Sequence, residues 1–249
     1  MPLRLLFLLG CLLPALRGAE PLRVAAAANL STVMPELVAA FSAEAPDVRV
    51  ETSFGASGSL VAQIRHGAPY AVFLSADLDY PRALVAAGEA EARSLITFAR
   101  GRLAFWAPAP ADGDLTAQLR ASRKIAIANP AIAPYGRAAE QTLTKLGMLP
   151  EMRSRLVIGE NIGQTAQFVD SGNADAGFVA LSVLLTGNRA TRGRHWVIEE
   201  SWHEPLAQGA VITRRGLGQP AAAQFLAFLA SDAARKVFAR HGYAVPASP

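Results

Sequence analysis

Runs of apolar residues alternate along the first half of the chain with stretches in which apolar residues recur every three or four positions. Short apolar runs predict buried strands, and the longer spacing predicts helices with one apolar face. The predicted strands span residues 22–28, 48–53 and 71–75, and the predicted helices span residues 31–44, 59–66 and 78–87. Pro35 fits only the first turn of a helix, so the first helix is expected to begin near Leu30 or Ser31. This alternation of strand and helix predicts an open parallel sheet.

A second alternating series follows two strand-like segments at residues 96–98 and 102–107. Its predicted strands span residues 125–128, 156–159 and 176–180, and its predicted helices span residues 115–120, 136–146, 163–171 and 181–185. A last strand at residues 204–213 and one or two helices within residues 221–240 close the chain. Two such series predict an α/β protein of two lobes, each an open, mainly parallel sheet flanked by helices, with a cleft between them. We expect lobe I to comprise residues 20–103 plus 206–249 and lobe II to comprise residues 104–205.

The first 19 residues have the pattern of a secretory signal peptide, with Arg4 near the start and an apolar run that ends in small residues. That run is shorter than the roughly 20 residues that span a bilayer. We therefore expect residues 1–19 to be removed and the protein to be exported to the periplasm. Leu8-Leu9-Gly10-Cys11 also resembles a lipoprotein cleavage site. Only ten residues precede Cys11 and the apolar run continues beyond it, which makes a lipid anchor the less favoured alternative.

Cysteine content and charge narrow the function further. Cys11 is the only cysteine, so the exported protein is expected to contain no disulfide and no reactive thiol. Without Arg4 and Arg17, which fall in the signal segment, 22 Lys and Arg residues remain against 20 Asp and Glu residues. This even balance, with no cluster of basic and aromatic residues, argues against nucleic acid as a partner.

One segment is close to a catalytic pattern. Gly55-Ala56-Ser57-Gly58-Ser59 approaches the nucleophile elbow of serine hydrolases but ends in Ser rather than Gly. Such an elbow also requires a His base, and none of the histidines follows a strand in a polar turn; they are His66, His195, His203 and His241. There is no phosphate-binding loop of the nucleotide hydrolases, and His, Asp and Glu do not cluster at metal-ligand spacings. We expect a protein that is not an enzyme and has no cofactor, with an exported hydrolase using Ser57 as the alternative from another class.

Ligands of open α/β sheets bind beyond the carboxyl ends of the strands, where the next helices begin. Four predicted loops at such places are rich in small residues, amides and hydroxyls; they span residues 27–31, 54–59, 129–136 and 160–164. Each leads into a helix, whose unpaired N–H groups and positive dipole end favour anions. Asn, Ser and Gly there also fit a purely structural role as helix caps. Four loops, two from each series, favour a shared anion site.

The loops offer mainly hydrogen-bond donors, among them the hydroxyls of Ser57 and Tyr135 and the side-chain N–H groups of Asn29. A deprotonated tetrahedral dianion such as molybdate, tungstate or sulfate accepts at every oxygen. Phosphate keeps a proton at neutral pH and needs an acceptor, for which Glu160 is the nearest candidate. Neutral donors also leave no unpaired buried counter-ion when the ligand departs.

Eight segments resemble, in order, the periplasmic molybdate-binding proteins of ABC importers, and the resemblance extends over nearly the whole chain after the signal segment. They are residues 24–29 (VAAAAN), 55–58 (GASG), 63–77 (QIRHGAPYAVFLSAD), 102–106 (RLAFW), 128–136 (ANPAIAPYG), 160–164 (ENIGQ), 177–181 (GFVAL) and 242–246 (GYAVP). The resemblance implies a type II periplasmic-binding fold that closes on a single tetrahedral oxyanion. Molybdenum would then be bound only as molybdate, through hydrogen bonds.

The resemblance also implies the residues that bind the oxyanion. The implied donors are the backbone N–H of Ala28, a backbone or side-chain N–H of Asn29, the hydroxyl and N–H of Ser57, the hydroxyl or N–H of Tyr135, and the backbone N–H of Ile162. Many family members have Ser or Thr in place of Ala28, so one hydroxyl donor is missing here. The missing hydrogen bond is worth about 0.5–1.5 kcal/mol, and Asn29 is expected to compensate for it.

A second departure concerns a binding Tyr that some family members place where this chain has Ala180; Tyr135 is expected to take over its role. We therefore expect a monomer that hinges shut around molybdate or tungstate and delivers it to a membrane ABC permease. Size is expected to favour the larger metal oxyanions over sulfate. A binding protein for sulfate or another tetrahedral oxyanion is the alternative within the same class.

Overall fold

The computed structural model describes residues 20–110 and 112–245, which form two five-stranded sheets. The predicted signal segment, including Cys11, lies outside the described residues. The strands of the first sheet are β1 (Leu22–Ala27), β2 (Val50–Gly55), β3 (Val72–Ser75), β4 (Ile96–Arg100) and β10 (Ala207–Ile212). The strands of the second sheet are β5 (Leu103–Ala107), β6 (Ile125–Ala128), β7 (Leu156–Gly159), β8 (Ala176–Ala180) and β9 (Arg194–Val197). We call the first sheet with its helices lobe I, and the second sheet with its helices lobe II.

The two sheets have equivalent topologies. Their strand orders are β2-β1-β3-β10-β4 and β7-β6-β8-β5-β9. In the first sheet β10 runs antiparallel to both of its neighbours, and in the second sheet β5 does the same. These two strands are the first that the chain enters after each crossing between the lobes. The other strands of each sheet share one direction, which confirms the prediction of two open, mainly parallel sheets.

Helices cover both faces of each sheet. They are α1 (Met34–Glu44), α2 (Ser57–Arg65), α3 (Asp79–Ala86), α4 (Leu115–Ala121), α5 (Pro134–Lys145), α6 (Leu149–Met152), α7 (Ile162–Asp170), α8 (Leu181–Leu184), α9 (Pro220–Leu229) and α10 (Asp232–Arg240). In β1, Val24 and Ala26 pack with α1, α9 and α10, whereas Ala25 packs with α2 on the opposite face. Alternate residues of a strand point to opposite faces, so an unbroken apolar run is what a strand covered on both sides requires.

Several helices begin where periodicity did not place them. Helix α2 begins at Ser57 rather than at residue 59, and α5 begins at Pro134 rather than at residue 136. Helix α1 begins at Met34, later than predicted, because a 3₁₀ turn over Ala28–Leu30 follows β1. Strand β9 and helix α6 were not predicted, since both are short and have no apolar run.

Two chain crossings connect the lobes and are bonded to each other. Gly101, between β4 and β5, donates its N–H to the Leu206 carbonyl, just before β10, at 2.8 Å. Arg102 accepts the N–H of Leu181, the first residue of α8, at 2.9 Å. The crossings therefore form a compact hinge at the base of the cleft. No helix within the described ranges is long and apolar enough to cross a membrane.

Candidate functional site

A small cavity lies between the lobes, where the carboxyl ends of their strands meet. Its lining residues carry no charge; they are Ala27, Ala28, Asn29, Gly55, Ala56, Ser57, Ala76, Ala133, Pro134, Tyr135, Asn161 and Ile162. All five residues predicted to bind the oxyanion are in this set, and none is more than 6% exposed. The structure thus brings together segments from both lobes.

At the start of α7 the backbone N–H of Ile162 is left without a partner in the helix. The Asn161 side chain caps the helix and accepts the N–H groups of Gly163 at 2.9 Å and Gln164 at 3.1 Å. The Asn161 carbonyl accepts the next one, from Thr165, at 3.1 Å. Of the first four N–H groups of the helix, only that of Ile162 is left uncommitted. The Asn161 cap therefore leaves one N–H group, that of Ile162, available at this end of the helix.

The start of α5 also leaves one backbone N–H group without a partner in the helix. Pro134 has no N–H, and the Ala133 carbonyl accepts the N–H groups of Gly136 at 2.9 Å and Arg137 at 3.2 Å. The backbone N–H of Tyr135 has no such partner within the helix. Proline at the first helical position is favoured because its missing N–H would be unpaired there anyway. Here it also leaves Tyr135 as the first donor of the helix.

The 3₁₀ turn after β1 contributes two further N–H groups. Ser31 donates to the Ala28 carbonyl at 3.2 Å, whereas no backbone partner is found among the described residues for the N–H groups of Ala28 and Asn29. In lobe II the equivalent N–H, that of Asn129, is bonded to the Gly159 carbonyl at 2.8 Å. The turn after β1 in lobe I therefore has two free N–H groups, whereas the N–H at the equivalent position after β6 in lobe II is already bonded.

Ser57 is oriented as a donor. Its Oγ accepts the N–H of Ala76 at 3.1 Å, which leaves the hydroxyl proton free to point elsewhere. The next N–H in α2, from Gly58, donates across the cleft to the Ile132 carbonyl at 2.9 Å. Among the described residues no His or carboxylate bonds to Ser57, so nothing there would activate it as a nucleophile. This geometry argues against the hydrolase alternative.

The side-chain N–H groups of Asn29 are committed within the protein, whereas its Oδ1 is buried without a hydrogen-bond partner among the described residues. Its Nδ2 donates to Gln208 Oε1 at 2.9 Å and to the Tyr243 hydroxyl at 3.0 Å. Tyr243 and Ser182 donate in turn to the Asn29 carbonyl, at 2.9 and 3.1 Å. The side-chain N–H groups of Asn29 are therefore already used by Gln208 and Tyr243. The backbone N–H is the remaining Asn29 donor.

The hydroxyl of Tyr135 lies at the hinge, against Gly101. A Cβ on Gly101 would overlap it and would lie 2.8 Å from Gln208 Nε2, so glycine is required there. Burial, together with the nearby Tyr243, raises the pKa of Tyr135 well above its ordinary value, and the hydroxyl keeps its proton. Tyr135 was expected to donate through its hydroxyl or its backbone N–H. Because the hydroxyl packs against Gly101, the backbone N–H is the better candidate.

Other candidates from the sequence lie outside the cavity. Glu160 is exposed and its carboxylate does not line the cavity. Ala180 is buried at the end of β8 and does not line it either. Gln208 and Tyr243 do not line the cavity either, but they hold the Asn29 side chain, a role that was not predicted. Two signals in the sequence could have indicated this role. One is a Gln in an otherwise apolar strand, and the other is a Tyr in one of the eight segments that resemble the family.

The fold and the site together define a two-lobed solute-binding protein whose cavity offers neutral hydrogen-bond donors. The profile of the bacterial extracellular solute-binding protein family matches residues 22–244, and the chain belongs to that family.

Two sequence relatives and one solved structure match nearly the whole length of the chain. The chain is 38% identical over 244 residues to a molybdate-binding protein of Azotobacter vinelandii, covering 96% of each sequence. It is 36% identical over 241 residues to a molybdate-binding protein of Rhodobacter capsulatus, covering 96% of this chain and 93% of the relative. The solved structure of the Azotobacter vinelandii periplasmic molybdate-binding protein superposes with a TM-score of 0.85 at 36% identity, covering 91% of this chain and all of that one. The fold prediction and the family resemblance are confirmed, and the relatives are solute-binding proteins rather than enzymes.

Proposed function

We propose that the protein captures molybdate, and also tungstate, in the cavity between its lobes. The observation that carries the proposal is a cavity between the lobes that is lined only by uncharged residues, and into which both lobes bring uncommitted donors. The assigned donors are the backbone N–H groups of Ala28, Asn29, Ser57, Tyr135 and Ile162 and the Ser57 hydroxyl. The named function of the two relatives, which cover almost the whole chain, supports this choice of anion.

The donor set suits a fully deprotonated dianion. No carboxylate lines the cavity, so a protonated oxyanion such as phosphate would lack a charged acceptor for its hydrogen. No Lys or Arg lines it either, so the anion's charge is spread over backbone dipoles and helix N-termini. Such a site binds the anion without a buried cation that would be left unpaired on release.

The proposal also covers export, oligomeric state, delivery of the anion and the division into lobes. Residues 1–19 would be removed on export to the periplasm, and the protein would act as a monomer that delivers its anion to an ABC permease. Lobe I would comprise residues 20–103 plus 206–249 and lobe II residues 104–205, a division that the membership of the two sheets supports. No cofactor takes part, because the molybdenum is cargo.

The proposal is tested by titrating the protein, produced from Glu20 onward, with molybdate, tungstate, sulfate and phosphate. We expect molybdate and tungstate to bind with a Kd of about 1 μM or tighter, corresponding to about −8 kcal/mol. At about a thousand times its Kd, a ligand stabilises the folded state by about 4 kcal/mol, which thermal unfolding detects readily. Calorimetry then gives the stoichiometry, expected to be one anion per chain.

The same titration separates the alternatives. Sulfate is expected to bind more weakly than the metal oxyanions, because the smaller ion does not reach all the donors together, and phosphate most weakly. Tighter binding of sulfate than of molybdate would assign the site to sulfate instead. No response to molybdate or tungstate below millimolar concentration would rule the proposal out.

Replacing Ala28 by Ser is expected to increase the affinity for molybdate. Its Cβ lies 3.9 Å from where a Cβ on Gly163 of the other lobe would stand, so the residue 28 side chain faces across the cleft. Ala28→Ser is expected to add one hydroxyl donor and to lower the Kd for molybdate about 2- to 12-fold, the equivalent of about 0.5–1.5 kcal/mol. Ala180→Ser, also at the end of a strand but outside the cavity, should leave the Kd unchanged. Unchanged or weaker binding by Ala28→Ser would mean that this side chain does not reach the anion.

A further inference from the structure

A set of polar contacts joins the lobes on one wall of the cleft, outside the oxyanion cavity. At its centre is an ion pair between Asp77, which follows β3 in lobe I, and Arg137, in the first turns of α5 in lobe II. Asp77 is only 6% exposed, whereas the Arg137 side chain is 31% exposed. The pair exists only while the two lobes are in contact, because its members belong to different lobes.

The carboxylate of Asp77 is held in position by lobe I alone. Its Oδ1 accepts from the Ser75 hydroxyl at 3.0 Å and from the Tyr80 N–H at 3.2 Å. This leaves Oδ2 free to accept from Arg137. Because lobe I fixes one oxygen, the other is already oriented toward lobe II before the lobes meet.

Neighbouring contacts extend the junction on both sides of the ion pair. The Arg137 guanidinium lies 5.5 Å from the centre of the Tyr80 ring, and the Tyr80 hydroxyl donates to the Ala131 carbonyl at 3.4 Å. Gly58 donates its N–H to the Ile132 carbonyl at 2.9 Å, and a Cβ on Gly58 would lie only 3.1 Å from the Ile132 Cα. The two lobes are therefore as close here as their backbones allow.

The junction is linked through the backbone to the oxyanion donors. Asp77 directly follows Ala76, whose N–H fixes the Ser57 hydroxyl. Arg137 lies two residues after Tyr135 on the same helix, and both it and Gly136 are bonded to the Ala133 carbonyl. A closure that brings the donors of the two lobes around one anion therefore also brings Asp77 and Arg137 into contact.

We propose that the Asp77–Arg137 ion pair is a latch that prolongs the closed, anion-loaded form and so determines the rate of anion release. The inference rests on the proposed function for the identity of the anion. The anion enters through the open cleft, in which Asp77 and Arg137 are apart, so the pair acts on release more than on capture. Removing one member of a hydrogen-bonded charge pair mainly changes the dissociation rate, and partial exposure moderates the effect.

The test compares molybdate release from the wild type and from Asp77→Asn. Asparagine keeps an oxygen that can accept from Ser75 and Tyr80 but loses the charge that holds Arg137. Labelled molybdate is expected to leave the variant roughly tenfold faster in a chase with unlabelled molybdate, while the association rate changes less than about twofold. The difference should shrink as salt is added, since salt screens a partly exposed ion pair.

Two further variants separate a latch from a general structural effect. Asp79→Asn removes an exposed carboxylate two residues away and should release molybdate at the wild-type rate. Arg137→Gln should accelerate release about as much as Asp77→Asn, and the double variant should be no faster than either alone. Additive effects, or release from Asp77→Asn at the wild-type rate, would overturn the latch.

A ligand-free measurement distinguishes failure of the latch from failure of the proposed function. Spin labels on cysteines introduced at Gln63 in lobe I and Lys145 in lobe II report the distance between the lobes. Asp77→Asn is expected to lower the closed fraction without any anion present. If this occurs but the wild type binds no molybdate, the latch stands and the proposed ligand falls. If the wild type binds molybdate and the variant closes equally often, the latch falls and the ligand stands.

Discussion

Replacing Ser57 by aspartate is expected to abolish molybdate binding at neutral pH, with a loss of about a thousandfold or more. Ser57 is 1% exposed and lines a cavity without any cation, so the new carboxylate would face the dianion unpaired. Two unit charges 4 Å apart at an effective dielectric constant of 20 repel by about 4 kcal/mol, and the dianion carries two charges. Protonating the aspartate first costs about 4 kcal/mol at pH 7, because its usual pKa is about 3.9. Whether the aspartate stays charged or is protonated first, molybdate binding is weakened by about 4 kcal/mol or more, which calorimetry can measure.

The pH dependence of this variant has a definite sign. Protonation of the new carboxyl restores a neutral donor, and its cost falls by about 1.4 kcal/mol per pH unit. The difference between Ser57→Asp and the wild type should therefore shrink as the pH is lowered from 7 toward 5. A loss that is independent of pH over this range would indicate a distorted site rather than charge repulsion.

Two companion variants calibrate the result. Ser57→Ala removes only the hydroxyl donor, which Ala76 holds in position, and should weaken binding by about 1.5–3 kcal/mol, as expected for a hydrogen bond to a charged group. Ser59→Asp places the same charge in the first turn of α2 but outside the cavity lining, and should bind molybdate nearly as well as the wild type. Comparable losses for Ser57→Asp and Ser59→Asp would show that the anion does not lie next to residue 57.

The alternation of apolar runs and helical spacing was sufficient for the fold, but not for the helix starts that form the site. The sequence-based bounds of β6, β7 and β8 agree with the structure, because each is a short apolar run that directly follows a charged residue. Helices α2 and α5 begin two residues earlier than predicted for a common reason. Their first turns face the cavity, so they carry small or polar residues and contribute nothing to an apolar stripe.

The donors themselves are only partly readable from sequence. Every residue except proline has a backbone N–H, so the sequence can indicate a donor-rich loop but not which N–H remains free. At α7 that choice depends on the Asn161 cap, which is a recognisable local signal. The contacts of Asn29 with Gln208 and Tyr243 join residues 179 and 214 positions apart, and no local pattern predicts them. The sequence therefore left open whether Asn29 would donate through its backbone or its side chain.

The second large effect is expected at Gly136, directly after the Tyr135 donor. A Cβ there would overlap the Ala128 carbonyl oxygen and lie 2.8 and 2.9 Å from the carbonyl carbons of Ala128 and Asn129. These are backbone atoms at the end of β6, so they cannot move aside as a side chain can. Helix α5 must instead shift away from the sheet, which displaces the Tyr135 N–H from the cavity. Glycine at this position is therefore what allows α5 to begin close enough to the strand to present a donor.

Gly136→Ala should consequently lose both stability and affinity. Overpacking of this kind costs about 1–3 kcal/mol, and a Tm decrease of roughly 3–10 °C follows for a chain of this size. Displacing a donor to a charged ligand should weaken molybdate binding by at least about tenfold.

Gly163→Ala is the matched control, because Gly163 directly follows the Ile162 donor in the first turn of α7. Its added Cβ would meet only Asn161 Oδ1 at 3.1 Å and the Ala28 Cβ at 3.9 Å, and side-chain atoms can adjust. Both changes gain the same helix propensity from alanine, so the difference between them isolates the backbone overlap at β6. Equal Tm and Kd values for the two variants would show that α5 is not held against β6 in the way that delivers the Tyr135 N–H.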